Sequence, residues 1–473
     1  MKARTTSNLQ IIPMLAHETL YVGIDIGKQT HVAGFLSTTL LVRHQRFESC
    51  PALSFENSRE GFRSLVDRIS TYVPLTQVYV VMEVTGHYHR TLLQYLQEMD
   101  ITVYVMHVQK RQAGMLKTDK RDALGLANHL YSQLELGVQV PDKLQAVRRL
   151  APPTEAAAQL KGMVRHRYEL IAESTQRKNK LIAICDEIFP ELTQVMKDPN
   201  LSSALALRKA FPTPAAIATA PLSALQAVRV GHYPSEAKLV ELQRLATQSI
   251  GTKEPARLRG LTFEQEQLIE EMELIQKHLE KLEAEMTQIA QNSREGQILL
   301  SITGIGSIPA ATIIAIIGNI ANFERPSQLK AFFGWAPAIK QSGYTLDSAR
   351  LSPRGTRQTK QMMYLVVWTA IKTECEWNRI YERLVPIKCS YDERTRRYTG
   401  KGKVIGRIAG QIVSVIYALL KKDQETLSRL SPGTKPPAPE LYDGEVHRRH
   451  RAGQYQSSSS HKKPSKLIQL PPH

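Results

Sequence analysis

The spacing of hydrophobic positions changes character twice along the chain. From Thr19 to about Leu150, short apolar runs alternate with amphipathic ones. Tyr21–Lys28, His31–Leu36 and Leu40–Phe47 read as three successive strands, the first interrupted by Asp25. Ser58–Tyr72 carries Phe62, Leu65, Val66 and Ile69 at three- and four-residue steps, which predicts a helix. Val78–Val84 is a β-branched strand that reaches Glu83 just before Gly86. Tyr88–Met99 reads as a helix, Ile101–Met106 as a strand and Asp119–Leu136 as a helix. Three strands followed by alternating helices and strands make residues 19–150 an α/β sheet domain behind a tail at 1–18.

The strand pattern stops at residues 151–297. Leu268, Met272, Ile275, Leu279, Leu282, Met286 and Ile289 follow one another at four- and three-residue steps, the a/d seam of a coiled coil with Glu and Lys crowded beside it. Ala156–Ile188 has a weaker seam and is a candidate antiparallel partner. A Pro- and Ala-rich helical insert, about Pro190–Gly260, separates the two. The stripe has two readings: packing within one chain, or joining subunits into a dimer or tetramer. Residues 298–421 form a second compact, mostly helical unit. From 422 to 473 the chain is rich in Pro, Ser, His, Arg and Lys and reads as a disordered basic tail.

Charge narrows the partner. The 473 residues hold 62 Lys plus Arg against 44 Asp plus Glu, a net charge of +18, which favours a polyanion and above all nucleic acid. The four cysteines are far apart and form no C-x-x-C pair, so neither a zinc site nor a disulfide framework is expected. The apolar stretches Ile308–Gly318 and Ile412–Leu420 are shorter than the roughly 18 residues of a membrane span. A cytoplasmic, nucleoid-associated protein with no membrane partner is the expectation.

Four carboxylates carry the candidate chemistry. Asp25 lies within an apolar strand, where an ionised group is costly unless paired or bound to a cation. Glu83 ends another strand. Asp119 and Asp122, three residues apart, share one helix face. Gathered at the C-terminal edge of a sheet, such hard oxygen ligands suit Mg²⁺, and a metal pair would clamp a phosphodiester. Taken alone, Asp119 is equally a helix cap and Asp122 a surface charge. The Asp25-Ile26-Gly27 step also opens the phosphate site of actin- and sugar-kinase-like ATPases, but the further Gly-rich loops of that class do not follow.

In the last third, Ile302-Thr303-Gly304-Ile305-Gly306 precedes an apolar helix and resembles a helix-hairpin-helix, which grips a nucleic-acid backbone; a plain tight turn is the alternative. Gly334-Trp335-Ala336-Pro337 marks a loop containing Ser342, followed by Arg350, Arg354, Arg357 and Lys360. Arg396, Arg397, Lys401 and Lys403 form a further basic run interleaved with Tyr398, and Lys117, Lys120 and Arg121 surround Asp119. All are candidate nucleic-acid contacts.

With these motifs in order, the chain from Tyr21 to Leu420 resembles the DEDD transposases of the IS110 insertion sequences and the related Piv and MooV recombinases. The resemblance rests on Val22-Gly23-Ile24-Asp25, Glu83 with Thr85-Gly86, and Lys117-Thr118-Asp119-x-x-Asp122-Ala123. Phe332-Phe333-Gly334-Trp335-Ala336-Pro337, Gln341-Ser342-Gly343, Leu351-Ser352-x-Arg354-Gly355 and Lys401-Gly402-Lys403 complete it. It implies a RuvC-like (RNase H-like) domain whose acidic tetrad falls on Asp25, Glu83, Asp119 and Asp122 and binds Mg²⁺, with Mn²⁺ as a substitute. It implies a coiled-coil segment and a C-terminal transposase domain whose nucleophilic serine falls on Ser342. That serine forms a covalent link to DNA, activated by metal from a neighbouring subunit. Double-stranded donor and target DNA and a structured non-coding guide (bridge) RNA are the implied partners. A water-using Holliday-junction-type nuclease and a non-catalytic nucleic-acid-binding protein are the alternatives.

Overall fold

The structure is a computed structural model that describes residues 15, 17–83, 86–106, 118–138, 148–149, 151–342, 346–351, 355–431 and 433–449. The chain divides into two compact units, Met1–Pro152 and Pro153–His473.

The first unit is built on a six-stranded sheet: β1 (Leu20–Asp25), β2 (Thr30–Leu36), β3 (Ala52–Glu56), β4 (Val78–Glu83), β5 (Thr102–Met106) and β6 (Arg148–Arg149), in the order β3-β2-β1-β4-β5-β6. β1, β2 and β3 form an antiparallel meander, β4 and β5 run parallel to β1, and β6 is antiparallel to β5. Helices α1 (Thr38–His44), α2 (Arg59–Ser70), α3 (His89–Glu98) and α4 (Asp119–Leu134) complete it. β1 is buried from Leu20 to Ile24 because both its faces are covered.

Two local expectations are corrected. Leu40–Phe47 is not a strand: Ser37 caps a helix there by accepting a hydrogen bond from the Leu40 N–H, and the chain runs helical to His44. Its apolar run is one-sided, with Leu40 buried and Val42 exposed. The third strand is Ala52–Glu56, where only Phe55 is buried, so its apolar signal is faint.

The second unit opens with α5 (Glu155–Ile188). The insert is five short helices: α6 (Leu192–Val195), α7 (Ser202–Ala210), α8 (Pro214–Thr219), α9 (Leu222–Ala227) and α10 (Glu236–Thr247). The long α11 (Pro255–Asn292) returns alongside α5. Arg167 pairs with Glu283 at 2.7 Å, Arg177 with Glu271 at 2.8 Å and Arg257 with Glu187 at 2.6 Å. As one residue number rises its partner's falls, so the two helices are antiparallel. Leu268, Met272, Ile275 and Met286 of the expected seam are buried, while Leu279, Leu282 and Ile289 are half-buried. The seam therefore packs against α5 of its own chain. The insert is pinned to the far end of this hairpin by buried Arg208, which donates to Gln265 Oε1 and to the Pro199 and Leu181 carbonyls.

The remaining elements are α12 (Arg294–Leu300), α13 (Ser307–Ile317), α14 (Pro326–Phe332), a hairpin of β7 (Pro337–Ser342) and β8 (Leu346–Leu351), α15 (Arg357–Ala370) and α16 (Glu376–Lys388). A small hairpin of β9 (Ser390–Asp392) and β10 (Arg397–Thr399) leads to α17 (Gly402–Ser428) and α18 (Gly444–Arg449). Residues 151–297 and 298–421 are not separate bodies. Leu160 and Val164 of α5 and Met286 and Ala290 of α11 share one core with Ile313, Val367 and Ile412. α17 is long and apolar enough to cross a membrane, but most of it is buried inside this core.

The boundary placed at Lys422 also moves. α17 continues to Ser428, and the chain then folds back: Arg294 donates to the Pro437 carbonyl, the Tyr442 N–H donates to Ser301, and His447 lies 4.6 Å from Trp377 between ring centres. Residues 450–473 of the expected tail lie outside the described residues.

Candidate active site

Two glycines seat the helix that carries the acidic pair. Gly23 and Gly34 are cross-strand partners in β1 and β2. A Cβ on Gly23 would stand 2.1 Å from the Ala123 carbonyl oxygen and 2.3 Å from the Ala127 nitrogen; one on Gly34 would meet Leu124 at 2.7 Å. Only hydrogen at both positions allows α4 to lie this close to the sheet. α4 starts where Thr118 caps it by accepting from the Arg121 N–H, and its far end is tied to the start of β1 by the Tyr21 hydroxyl donating to Glu135. It therefore runs antiparallel to β1, with its first turn at the C-terminal end of that strand.

Alternation along a strand places Asp25 on the same sheet face as Gly23, which is the α4 face. β1 and β4 are in parallel register through Ile24 and Met82, so the next step sets Asp25 beside Glu83 on that face. Asp122 immediately precedes Ala123, the residue whose carbonyl sits over Gly23. Asp25, Glu83 and Asp122 are all half-buried and share one end of one sheet face; Asp119, one turn earlier, is exposed. The donors have the hard-oxygen chemistry that suits Mg²⁺. Among the described residues, however, no three Asp, Glu, His or Cys side chains stand close enough to hold an ion together.

The loop after Asp25 is held from the opposite face. His31, fully buried, accepts a hydrogen bond at Nδ1 from the Gly27 N–H at 3.2 Å and packs against Phe55 and Phe62. Burial depresses the imidazole pKa, so the neutral form is favoured. Neither the packing role of Gly34 nor this role of His31 is evident from the strand pattern alone. The available signal was a second strand glycine, Gly34, and a histidine inside the run His31–Leu36.

Ser342 does not lie in a plain loop. It is the last residue of β7, paired with Leu346 where the hairpin turns. Arg350 is on β8, opposite Ala338. Lys117 and Arg354 lie outside the described residues. Lys120 is exposed on α4, whereas Arg121 pairs with Glu48 at 3.3 Å. Arg357 is exposed at the start of α15, and Lys360 is half-buried in its next turn. Arg396 and Arg397 are exposed at the tip of the β9–β10 hairpin, Lys401 is the N-cap residue of α17 and Lys403 lies in its first turn. α12 and α13 do form two helices joined by a tight turn. Gly304 within that turn has φ +96° and would collide at 2.7 Å with the Val366 carbonyl if it carried a Cβ, so it serves packing on α15. Gly306 caps α13 and is open.

The first unit thus carries acidic residues at the ends of adjacent parallel strands, and the second is largely helical with exposed arginines and lysines. Residues 22–190 match a family model described as a transposase, and residues 296–382 match the transposase IS116/IS110/IS902 family. The chain belongs to this family of insertion-sequence transposases. It is 23% identical over 335 residues to the insertion element IS110 43.6 kDa protein of Streptomyces coelicolor, covering 68% of this chain and 75% of that one. It is 22% identical over 375 residues to the insertion element IS116 44.8 kDa protein of Streptomyces clavuligerus, covering 75% and 85%. Over 182 residues it is 26% identical to the transposase for insertion sequence element IS1111A of Coxiella burnetii, covering 38% and 46%.

Proposed function

We propose that this transposase cleaves and rejoins DNA strands using the carboxylates Asp25, Glu83 and Asp122, with Asp119 alongside, and Ser342 as the nucleophile. The observation that carries the reading is the common placement of Asp25, Glu83 and Asp122 at one end of the α4 face. The strand order β3-β2-β1-β4-β5, with its antiparallel meander and parallel extension, supports an RNase H-like domain. Asp25 and Glu83, at neighbouring ends of β1 and β4, are the pair that would hold Mg²⁺, or Mn²⁺ in its place, which would supply a Lewis acid for phosphoryl oxygens.

Serine is a weak nucleophile at its ordinary pKa and needs activation. Attack by the Ser342 oxygen forms one P–O bond and breaks the bond to the neighbouring nucleotide, whose oxygen leaves with a proton. The product is a phosphoserine ester that keeps the cut end attached until rejoining. The net charge of +18, with exposed Arg357, Arg396, Arg397 and Lys403, supports binding to donor and target DNA and to a structured guide RNA. Half-buried Leu279 and Leu282 leave part of the α11 stripe for a second copy, and light scattering of a Leu279→Ser, Leu282→Ser variant tests that assembly.

The deciding experiment traps the ester on a nicked DNA substrate and maps the modified peptide. The expected result is an adduct on Ser342 that disappears in Ser342→Ala and in Asp25→Asn, with folding and DNA affinity retained in both. Cleavage by Ser342→Ala that leaves only free DNA ends would replace the serine with water. Normal cleavage by Asp25→Asn would remove the carboxylate assignment.

A further inference from the structure

The second unit contains a groove of about 870 Å³ that plays no part in the proposed chemistry. It lies where the root of the α5–α11 hairpin meets α13 and α17. Its apolar lining includes Ile289, Ile314, Ile317 and Leu420; its rim carries Glu155, Glu285 and Glu295. Arg294 is the one cation among the described lining residues, and it is committed to Asp423 through a two-pronged contact of 2.6–2.9 Å. The groove is thus acidic at the rim and apolar inside, on a chain whose net charge is +18. A volume in this range accommodates several side chains of a docked peptide.

The chain contains one segment with the complementary pattern. In Lys462-Lys463-Pro464-Ser465-Lys466-Leu467-Ile468-Gln469-Leu470, three lysines precede three aliphatic residues, and no acidic residue occurs between His450 and His473. We propose that the groove binds this segment of its own chain, with Leu467, Ile468 and Leu470 on the isoleucine floor and the lysines against Glu155, Glu285 and Glu295.

Reach permits it. Arg294, which lines the groove, donates to the Pro437 carbonyl at 2.6 Å. Between Pro437 and Arg449 the chain consists of seven steps to Gly444 and the short α18, so Arg449 is at most roughly 35 Å from Pro437. Residues 450–461, polar and including Ser457–Ser460, span up to about 40 Å when extended. A tether of this length gives an effective concentration in the millimolar range, well above the micromolar concentration of a second copy in solution. The chain's own segment is therefore the favoured occupant, and its docking ties α5, α11, α13 and α17 together.

Hydrogen exchange on the full chain, without nucleic acid, tests this directly. Amides of residues 466–470 and those around Ile289 and Ile317 are expected to exchange at least tenfold more slowly than in the Ile468→Asp variant. The substituted residue is not among those that line the groove. Reversing the rim with Glu155→Lys and Glu285→Lys should remove the same protection at 466–470. A Leu467→Cys, Gln288→Cys pair should form a disulfide within one chain, identified by peptide mapping, whereas Leu467→Cys with Val240→Cys should not. Equal exchange in wild type and Ile468→Asp would overturn the proposal. So would a disulfide found only between two chains, which assigns the groove to a second copy, or protection of 466–470 that appears only when DNA or RNA is added.

Discussion

Gly23 and Gly34 hold their place by what they lack. With the Ala123 carbonyl 2.1 Å from where a Cβ would stand, Gly23→Ala forces α4 off the sheet, at a cost of about 3 kcal/mol or more. Gly125, on α4 itself, has nothing within 4 Å of its Cβ position, so Gly125→Ala should instead stabilise by up to about 1 kcal/mol through helix propensity. Thermal unfolding of the two variants should therefore shift in opposite directions. Gly23→Ala should also lose strand cleavage, because Asp122 travels with α4. His31 supplies a second check. Its folded pKa lies below the ordinary value near 6.5, so in mild acid the unfolded chain takes up a proton that the folded chain resists. Stability from this group is complete above about pH 6.5 and falls as the pH drops towards the folded pKa. Denaturant titrations at pH 7.5 and 5.5 should show a steeper loss in wild type than in His31→Leu.

At the scale of elements, the middle of the α5–α11 hairpin concentrates its burial in few side chains. Leu170 and Ile275 are buried in the middle stretch, where Leu279 and Leu282 are only half covered. Truncating Leu170 or Ile275 to Ala should cost the second unit about 2–4 kcal/mol and leave the unfolding of the first unit unchanged, as separate calorimetric transitions would reveal. How much of this was legible in the sequence follows from how each element is buried. The α11 stripe announces itself because one face repeats over many turns. Asp25 and Glu83 stand out because charge in a buried strand is rare. The edge strand Ala52–Glu56 is faint because it buries little more than Phe55, and Leu40–Phe47 misleads because three adjacent aliphatics fit a strand or one side of a short helix equally. Ser342 gives no local sign of being the last residue of β7, since the pairing that places it there depends on Leu346 beyond the turn. The depth at which α4 sits is set by two glycines in different strands, and no single-strand pattern reports that pairing.

For the whole molecule, the charge of +18 makes association with a polyanion strongly dependent on salt. If six or more phosphates are neutralised, DNA affinity should fall by roughly a thousandfold or more between 50 and 200 mM salt. Removing Arg396 and Arg397 together should lower the slope of log affinity against log salt by about two without changing the fold, since both are exposed. Filter binding across a salt series measures both quantities.

The position of α17 has a consequence for how the protein is made. Gly402–Ser428 is the late, apolar centrepiece of the second core, against which α14, α15 and α16 pack. Residues up to 152 can close as soon as they leave the ribosome, because every element of that sheet is contiguous in the chain. The helices from α12 to α16 emerge well before their central partner. At about 5–20 residues per second, they wait several seconds with isoleucines and valines exposed to water. Nascent chains halted between residues 300 and 400 should therefore be rich in chaperone contacts, and those contacts should be released abruptly once α17 has cleared the exit tunnel.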